Sequence, residues 1–190
     1  MAESTFASSS TSQAAPAPRT SAPMPSAAEI PALLTSFGIT TAAPHRREDA
    51  TVWDLELDGN VRRGLRVTLI HDARSGGALM VWAHLAPPLG DGLRAAYRRL
   101  LQWNDRFPFA KFAIAEDGRP TLSVELRAVD ATPEQVRDAL ARVLLIADAL
   151  VSETAEWIWI GGKVPPDPGG ERRNRPLLAG AGDLAERLEG

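Results

Sequence analysis

Hydrophobic and polar residues alternate along three stretches in the first half of the chain. Trp53, Leu55 and Leu57 alternate with acidic residues, residues 61–69 alternate in the same way, and residues 79–85 are apolar at successive positions. Alternation with a period of two is typical of a β-strand with one buried face. We therefore predict three strands, the first two joined by a hairpin turn at residues 58–60. The third is expected to be covered on both faces or to offer one face to a partner.

Apolar residues recur three and four positions apart in the segments that flank these strands, and this spacing is typical of helices with one buried face. Residues 30–37 predict a short first helix that ends at Gly38. A second helix is predicted to end before Pro108. Its expected apolar stripe includes Tyr97, Leu100 and Leu101.

The second half of the chain predicts two more strands and a long helix. Residues 110–114 and 121–127 alternate in hydrophobicity on either side of Asp117-Gly118, which is a turn signal. The sequence Thr-Pro-Glu-Gln at residues 132–135 is a capping box with proline at the first helical position. It predicts the start of a helix that reaches about Trp157.

The predicted order of elements is therefore α-β-β-β-α-β-β-α. Strands joined by short turns imply an antiparallel sheet, and helices with one apolar face bury it against that sheet. We expect Phe107, Phe109 and Phe112 to hold the second helix on the sheet, since each buried aromatic ring contributes roughly 1.5–3 kcal/mol. The sequence thus predicts an α+β fold, an antiparallel sheet with the helices packed on one face.

The two ends of the chain differ from its middle in composition. Residues 1–26 are rich in alanine, serine and proline, and such a segment buries too little apolar surface to become ordered. Residues 27–160 are predicted to form one domain. Residues 161–190 begin with a stretch rich in glycine and proline, so we expect a linker followed by a weak C-terminal helix.

The overall composition narrows the class of protein. The 190 residues have a formal net charge of -3 and no cysteine. Disulfides and thiolate zinc sites are therefore excluded, and nucleic-acid binding is not favoured. No apolar run approaches the ~20 residues that a membrane-spanning helix needs, and the N-terminus does not resemble a signal peptide. We expect a cytoplasmic protein without a membrane partner.

Two groups of polar residues could carry chemistry. The carboxylates of Asp54, Glu56 and Asp58 could share one face of a strand and act as acid–base catalysts or cation ligands, but the alternation with apolar residues makes that face an ordinary solvated one. His71 and His84, with Asp72, could bind a metal ion, but they lack the spacing of known motifs. We predict no catalytic, cofactor-binding or metal-binding residue.

Arginines form a third group that could contact phosphate groups of a nucleic acid. These are Arg62, Arg63 and Arg66, together with Arg46 and Arg47. If the first two strands pair, Arg62 and Arg66 lie opposite the acidic residues of the first strand, and cross-strand ion pairs are the simpler explanation.

Apolar residues that exceed the needs of one helix face occur at residues 157–160, Trp-Ile-Trp-Ile. Either the helix ends there or the surplus contacts a partner, and tryptophan is a frequent anchor of interfaces. The same question arises for Met80 and Trp82, because they point away from their apolar neighbours in the third strand. We predict a partner-binding role for Met80, Trp82, Trp157 and Trp159.

The ordered set of elements resembles the YbjN-like family, which is similar in fold to the type III secretion chaperones of the CesT kind. The stretches that carry the resemblance are LLQWNDRFPFAKFAIAEDGRPTLSVEL, from residue 100, and TPEQVRDALARVLLIADAL, from residue 132. The resemblance covers about residues 27–160. It implies a small, often dimeric binding module without an enzyme active site. The chaperones hold an unfolded segment of a client, and YbjN-like members are described as regulators of bacterial stress or signalling responses.

Our first hypothesis is therefore a non-enzymatic protein-binding module, chaperone-like or regulatory, that holds an extended segment of a partner protein and forms a homodimer. The second is a stress-response or signalling regulator that acts on nucleic-acid-associated complexes through the arginines of residues 62–66. The third is a small-molecule-binding or hydrolytic enzyme, which would need a polar pocket around His71, His84 or Asp54.

Overall fold

The computed structural model describes residues 24–74, 77–89 and 93–189. Within these ranges the strands are β1 (His45–Arg47), β2 (Ala50–Leu57), β3 (Leu65–Asp72), β4 (Ala78–His84), β5 (Lys111–Ile114) and β6 (Pro120–Arg127). The helices are α1 (Ile30–Ser36), α2 (Leu93–Arg106), α3 (Pro133–Ala149), α4 (Val151–Ile158), α5 (Arg175–Ala179) and α6 (Gly182–Glu189). The N-terminal segment that we predict to be disordered lies, up to residue 23, outside the described residues.

The six strands form one antiparallel sheet in the order β1-β2-β3-β4-β6-β5. The chain leaves β4 through α2 and returns as β5 at the edge opposite β1, so β6 lies between β4 and β5. This confirms the predicted α+β class. The sequence does not predict β1, because its three residues are polar and exposed and show no alternation.

One side of the sheet carries the hydrophobic core. Trp53, Leu69, Val81 and Val124 lie directly opposite one another on four neighbouring strands and are all buried. Residues of α1, α2, α3, α5 and α6 belong to the same buried cluster. The helices therefore pack on this side of the sheet, as the sequence predicts.

The connection between β2 and β3 differs from the predicted hairpin. Residues 58–64 form a seven-residue loop, and β3 begins only at Leu65. The turn at residues 58–60 is not a tight hairpin, because Asp58 turns into the protein and is buried there. Residues 61–64 are consequently loop residues, and the apolar Val61 is half exposed.

The buried side of α2 is rotated relative to the predicted stripe. Among residues 96–106 of this helix, the fully or nearly buried side chains are Ala96, Leu100 and Trp103, and Phe107 continues the series just after the helix. Tyr97 and Leu101, which we placed on the buried stripe, are 47% and 71% exposed. The indole of Trp103 packs against Phe112 on the buried side of α2, where we had predicted Tyr97 and Leu101.

The prediction for the three phenylalanines is correct for two of them. Phe107 and Phe112 are buried with ring centroids 6.0 Å apart. The prediction for Phe109 is wrong, because this side chain is 84% exposed. It lies in the turn after α2 with a left-handed φ of 63°, and this conformation directs it away from the core.

The capping box of α3 is present as predicted: the Gln135 backbone N–H donates to the Thr132 hydroxyl, and the Thr132 N–H donates to the Gln135 side chain. The long helix is interrupted at Leu150, where α3 ends and α4 begins. Residues beyond 160, which we expected to lie outside the fold, return to it. Leu177 and Leu184 are buried in the same core as the sheet.

Candidate functional site: the open face of the sheet

The side of the sheet opposite the helices is not covered by any described part of the chain. We call it the open face. Its centre consists of Val52 on β2, Thr68 and Ile70 on β3, Met80 and Trp82 on β4, and Ser123 on β6, all only partly buried. We expected the third predicted strand either to be covered on both faces or to offer one face to a partner. In the structure this strand, β4, is covered by helices on one face and open on the other.

Trp82 is the largest side chain of the open face and divides it into two clefts. One cleft of about 580 Å³ is lined by Glu56, Arg66 and His84 among others, and the second, of about 370 Å³, by His45, Arg47 and Ile70. Asp54, Thr68 and Trp82 line both clefts. A ligand that occupies both clefts would therefore cross the indole of Trp82.

The charges of the open face balance. The strand positions that point to this side carry four acidic residues and four basic residues: Asp54, Glu56, Asp72 and Glu125 against Arg47, Arg66, Lys111 and Arg127. These eight residues, which we call the rim, lie on the other strands, and β4 contributes no ionised side chain. Two of them approach the centre, because Glu125 is directly opposite Met80 and Asp54 is directly opposite Thr68. Balanced charges around an uncharged central strand are typical of a protein-binding surface rather than of a phosphate-binding one.

Several rim residues are already held within the chain. Arg173 donates to Glu56 at 2.9 Å, and this hydrogen bond lowers the pKa of the Glu56 carboxyl. The Thr68 hydroxyl donates to Asp54 at 3.0 Å. Arg74 donates to Asp72 through two guanidinium nitrogens and lowers the pKa of Asp72 to about 2. These contacts orient the rim without covering the centre.

His84 is packed against Trp82, with ring centroids 4.6 Å apart. Burial lowers the pKa of His84 below its ordinary value of 6.5, and the positive charge of Arg119 lowers it further. The Nδ1 atom of His84 is buried and has no hydrogen-bond partner among the described residues. We therefore expect a neutral imidazole beside Trp82 at neutral pH.

An NMR titration of the histidine ring signals, with His84 assigned by His84→Gln, should give a midpoint below 6.5 for this residue. Protonation is opposed by burial, so the charged form appears only as the pH falls through that midpoint. Arg119→Ala removes the nearby positive charge and should raise the midpoint while leaving it under 6.5. A midpoint above 6.5 in the native chain would contradict this environment.

The four predicted partner-binding residues lie in three separate places. Met80 and Trp82 belong to the open face. Trp157 is in the helical layer, where its ring lies 5.5 Å from that of Trp103. Helix α4 ends at Ile158, and Trp159 is extended and lines a cleft with the chain's own residues 164–168. We gave two explanations for the surplus of apolar residues at 157–160, a helix end or contact with a partner. The structure has a helix end at this point.

The carboxylates of Asp54, Glu56 and Asp58 do not share one face. Asp54 and Glu56 are on the open face, whereas Asp58 is buried in the loop of residues 58–64. Asp58 accepts hydrogen bonds from the Gly64 N–H at 3.0 Å and from Arg173 Nε at 3.2 Å. Burial alone would raise the pKa of Asp58, but these donors hold it below its ordinary value. Its role is to fix the loop.

Two further side chains fix this loop, and the sequence did not single out either. Asn174 is fully buried, accepts from the Asp58 N–H at 2.6 Å and donates to the Asp58 carbonyl at 3.1 Å. Asp148 on α3 accepts from the backbone N–H groups of Asn60, Val61 and Arg62. Burial raises the pKa of Asp148 in spite of these donors. The sequence contains one sign of this role: Asp148 is an acidic residue within the apolar stripe of α3, and a buried acid needs hydrogen-bond donors.

The five arginines proposed for nucleic-acid contact do not form a strip. Arg62 is largely buried near Asp148, and this burial lowers its pKa. Arg63 contacts Asp167 at 3.1 Å and donates to the carbonyls of Gly169 and Gly170. Arg66 and Arg47 lie on the open face, where Arg66 is directly opposite Glu56. The expected sharing of a face by Arg62 and Arg66 is wrong because Arg62 is not in a strand.

The two histidines proposed as metal ligands are on opposite sides of the sheet. His71 points to the core side, where it is opposite Leu79, and His84 points to the open face. One metal ion therefore cannot contact both. Within the described part of the chain, no three histidine, aspartate or glutamate side chains are grouped so that they could hold a metal ion.

Comparison with known proteins identifies the family. The family model described as "YbjN: Putative bacterial sensory transduction regulator" matches residues 26–156, which is more than half of the chain. A search of curated proteins found no match. None of the helices in the described ranges is long and apolar enough to cross a membrane. The matched residues include every strand and helices α1 to α3, and the chain therefore belongs to the YbjN family.

Proposed function

We propose that this protein is a non-enzymatic binding module of a bacterial regulatory response, acting in the cytoplasm as a homodimer. In this proposal the open face holds an extended segment of a partner protein, in the manner of a chaperone. The family description as a sensory transduction regulator supports a regulatory role, and it is not the description of an enzyme family.

The observation that carries the proposal is the partly buried pair of Met80 and Trp82 at the centre of an otherwise unoccupied sheet face. Aromatic and methionine side chains are enriched where proteins bind one another, and charged residues are depleted at the centre of such surfaces. β4 at the middle of the open face has this composition, and the charges are carried by the other strands.

The shape of the open face favours an extended partner. The two clefts beside Trp82 share residues of β2 and β3, and they open towards opposite ends of these strands. A segment that lies along the strands would place alternate side chains towards the sheet, because an extended chain repeats every second residue. One side chain could then enter each cleft while the backbone passes Trp82.

The nucleic-acid alternative receives no support from the position of the arginines. The Arg62 side chain is largely buried, Arg63 is engaged with Asp58 and Asp167, and the charge of the open face sums to zero. A phosphate backbone is bound by groups of unpaired cations. Protein binding is therefore the function that we retain.

Replacement of Trp82 by alanine should reduce partner recovery by about tenfold, because a central aromatic anchor commonly contributes more than 1.4 kcal/mol to binding. The measurement is affinity capture from lysate of the source cells with wild type and Trp82→Ala, followed by quantification of each captured protein. The side chain lies on the surface side of β4, so the variant should keep its fold, which circular dichroism checks.

The matched control is Val61→Ala, which shortens another exposed apolar side chain away from the open face. This variant should recover the same proteins as wild type. If Trp82→Ala recovers its partners as well as Val61→Ala does, the open face is not the contact surface and the proposal fails.

A further inference from the structure

Two arginines of the open face are available to a partner. Arg47 on β1 lines the smaller cleft, and Arg66 on β3 lines the larger one. Both are exposed, and neither makes a hydrogen bond or an ion pair with a residue in the described part of the chain. Glu56 is directly opposite Arg66, but its carboxylate accepts from Arg173 instead. Each cleft therefore offers one unpaired cation.

The other acidic residues of the open face are less available than these arginines. Asp72 accepts from two guanidinium nitrogens of Arg74. Glu125 is on β6 and lines neither cleft. Asp54 lines both clefts and accepts from the Thr68 hydroxyl at 3.0 Å. Within the clefts, the unpaired charge is therefore positive away from their meeting point and negative only at Asp54, where they meet.

The two cations lie at the two ends of one path along the strands. Arg47 is directly opposite Ala50 of β2, and Arg66 is directly opposite Glu56 of the same strand. Ala50 and Glu56 are six residues apart, which is about 20 Å at roughly 3.3 Å per residue. Trp82 lies between these two levels and lines both clefts. The path therefore has the length of seven residues of extended chain.

We propose that the partner segment held by the open face is apolar in its middle and carries two acidic residues six positions apart. An even spacing directs both carboxylates towards the sheet, because an extended chain repeats every second residue. The carboxylates then meet Arg47 and Arg66. The two side chains between them that face the same way meet Val52, Ile70 and Trp82. We thereby specify the partner segment of the proposed function, on which the inference rests.

The charges along the path favour this segment over the alternatives. A segment with basic ends would meet like charge at Arg47 and Arg66. An acidic residue in the middle would meet like charge at Asp54, which is exposed at the level of Trp82. A single strand of nucleic acid carries a phosphate at every nucleotide and would also bring negative charge past Asp54. An apolar middle avoids this repulsion and contacts the indole.

Fluorescence anisotropy with labelled synthetic peptides and the purified full chain at low salt tests the inference. Three peptides share the sequence X-Ser-Leu-Ser-Leu-Ser-X, in which both X positions are aspartate, asparagine or lysine. The aspartate peptide is expected to bind about fivefold more tightly than the asparagine peptide, because each of two exposed ion pairs is worth a factor of roughly two. The lysine peptide should bind more weakly than both.

The spacing of the acidic residues is tested with a fourth peptide, in which the second aspartate is moved one position towards the first. Its side chain then points away from the sheet, since neighbouring residues of an extended chain face opposite ways. This peptide should bind about twofold more weakly than the original aspartate peptide, because one of the two ion pairs is lost. Equal binding of the two aspartate peptides would contradict the proposed spacing.

Reversal of the two cations should reverse the order of the peptides. In the double variant, Arg47→Glu with Arg66→Glu, the lysine peptide is expected to bind more tightly than the aspartate peptide. Arg46→Glu is the matched control on β1, because Arg46 is directly opposite Thr51 and points to the other side of the sheet. This control should keep the wild-type order. Equal melting temperatures of all variants exclude unfolding as the cause.

Equal affinities of the first three peptides, or no binding of the aspartate peptide, would overturn the inference. It would also fail if the wild-type order survived in the double variant, or if a single-stranded oligonucleotide bound more tightly and displaced the aspartate peptide. The proposed function is tested separately by capture of partners through Trp82. Loss of the peptide preference with intact capture counts against the inference alone, and capture that does not depend on Trp82 counts against the proposed function.

Discussion

Asn174→Ala is expected to lower the free energy of unfolding by about 2–4 kcal/mol. The side chain is fully buried and makes both backbone hydrogen bonds of Asp58, as acceptor of its N–H and as donor to its carbonyl. Alanine would leave these two groups unpaired and out of reach of water, and each buried unpaired group costs about 1–3 kcal/mol. Urea denaturation followed by circular dichroism measures the change.

Asn60→Ala is the matched control for this variant. Asn60 is exposed, and its contact with Asp148 is made by its backbone N–H, which alanine would keep. Removal of its side chain should change the free energy of unfolding by less than about 0.5 kcal/mol. Equal effects of the two replacements would show that the contact between Asn174 and the loop does not stabilise the fold.

Asp148→Ala is expected to cost about 2–3 kcal/mol for a related reason. The Asp148 carboxylate accepts from three successive backbone N–H groups of the loop of residues 58–64, and the hydrogen bond from the Arg62 N–H is 2.8 Å long. Without these acceptors the loop loses its attachment to α3. For a chain of this length we expect the melting temperature to fall by about 4–10 °C.

Asp138→Ala serves as the control on the same helix. Asp138 forms a partly exposed ion pair of 3.0 Å with the neighbouring Arg137, and such pairs contribute about 0–1 kcal/mol. If thermal unfolding is shifted as little by Asp148→Ala as by Asp138→Ala, the three amides must find other acceptors, and the Asp148 carboxylate does not hold the loop in place.

The elements that the sequence predicts well are those in which local preference and burial agree. Trp53, Leu55 and Leu57 alternate with exposed acids and form a strand with those residues inside. The capping box at Thr132 begins α3 where it was expected. In both cases, hydrogen-bonding needs and apolar periodicity within a few residues lead to the same structure.

The predictions that fail depend on residues distant in sequence. An Asp-Gly-Asn sequence ordinarily favours a hairpin, but here Asp58 is bound by Asn174 and Arg173, more than 100 residues away. The buried stripe of α2 was predicted wrongly because Leu100 and Leu101 are adjacent and equally hydrophobic, so their sequence does not show which of them faces the core. Only the position of Trp103 against Phe112 decides which of them is buried.

The candidate site was predicted in part. The opposite orientation of Met80 and Trp82 relative to Val81 follows from the period of a strand, and the structure has this arrangement. Whether that side is covered by a helix cannot be inferred from periodicity, because it depends on where α3 crosses the sheet. Tyr97 and Leu101 were named for the core, and their exposure on α2 is visible only once the helix is placed.

The contact between Asp58 and Asn174 joins residues 116 positions apart, near the start of the sheet and near the end of the chain. Because synthesis proceeds from the N-terminus, this contact is unavailable until residue 174 has been added to the nascent chain. Every shorter nascent chain leaves the backbone of Asp58 without these two partners. The connection between β2 and β3 is thus completed only after the residues of all six described strands have been made.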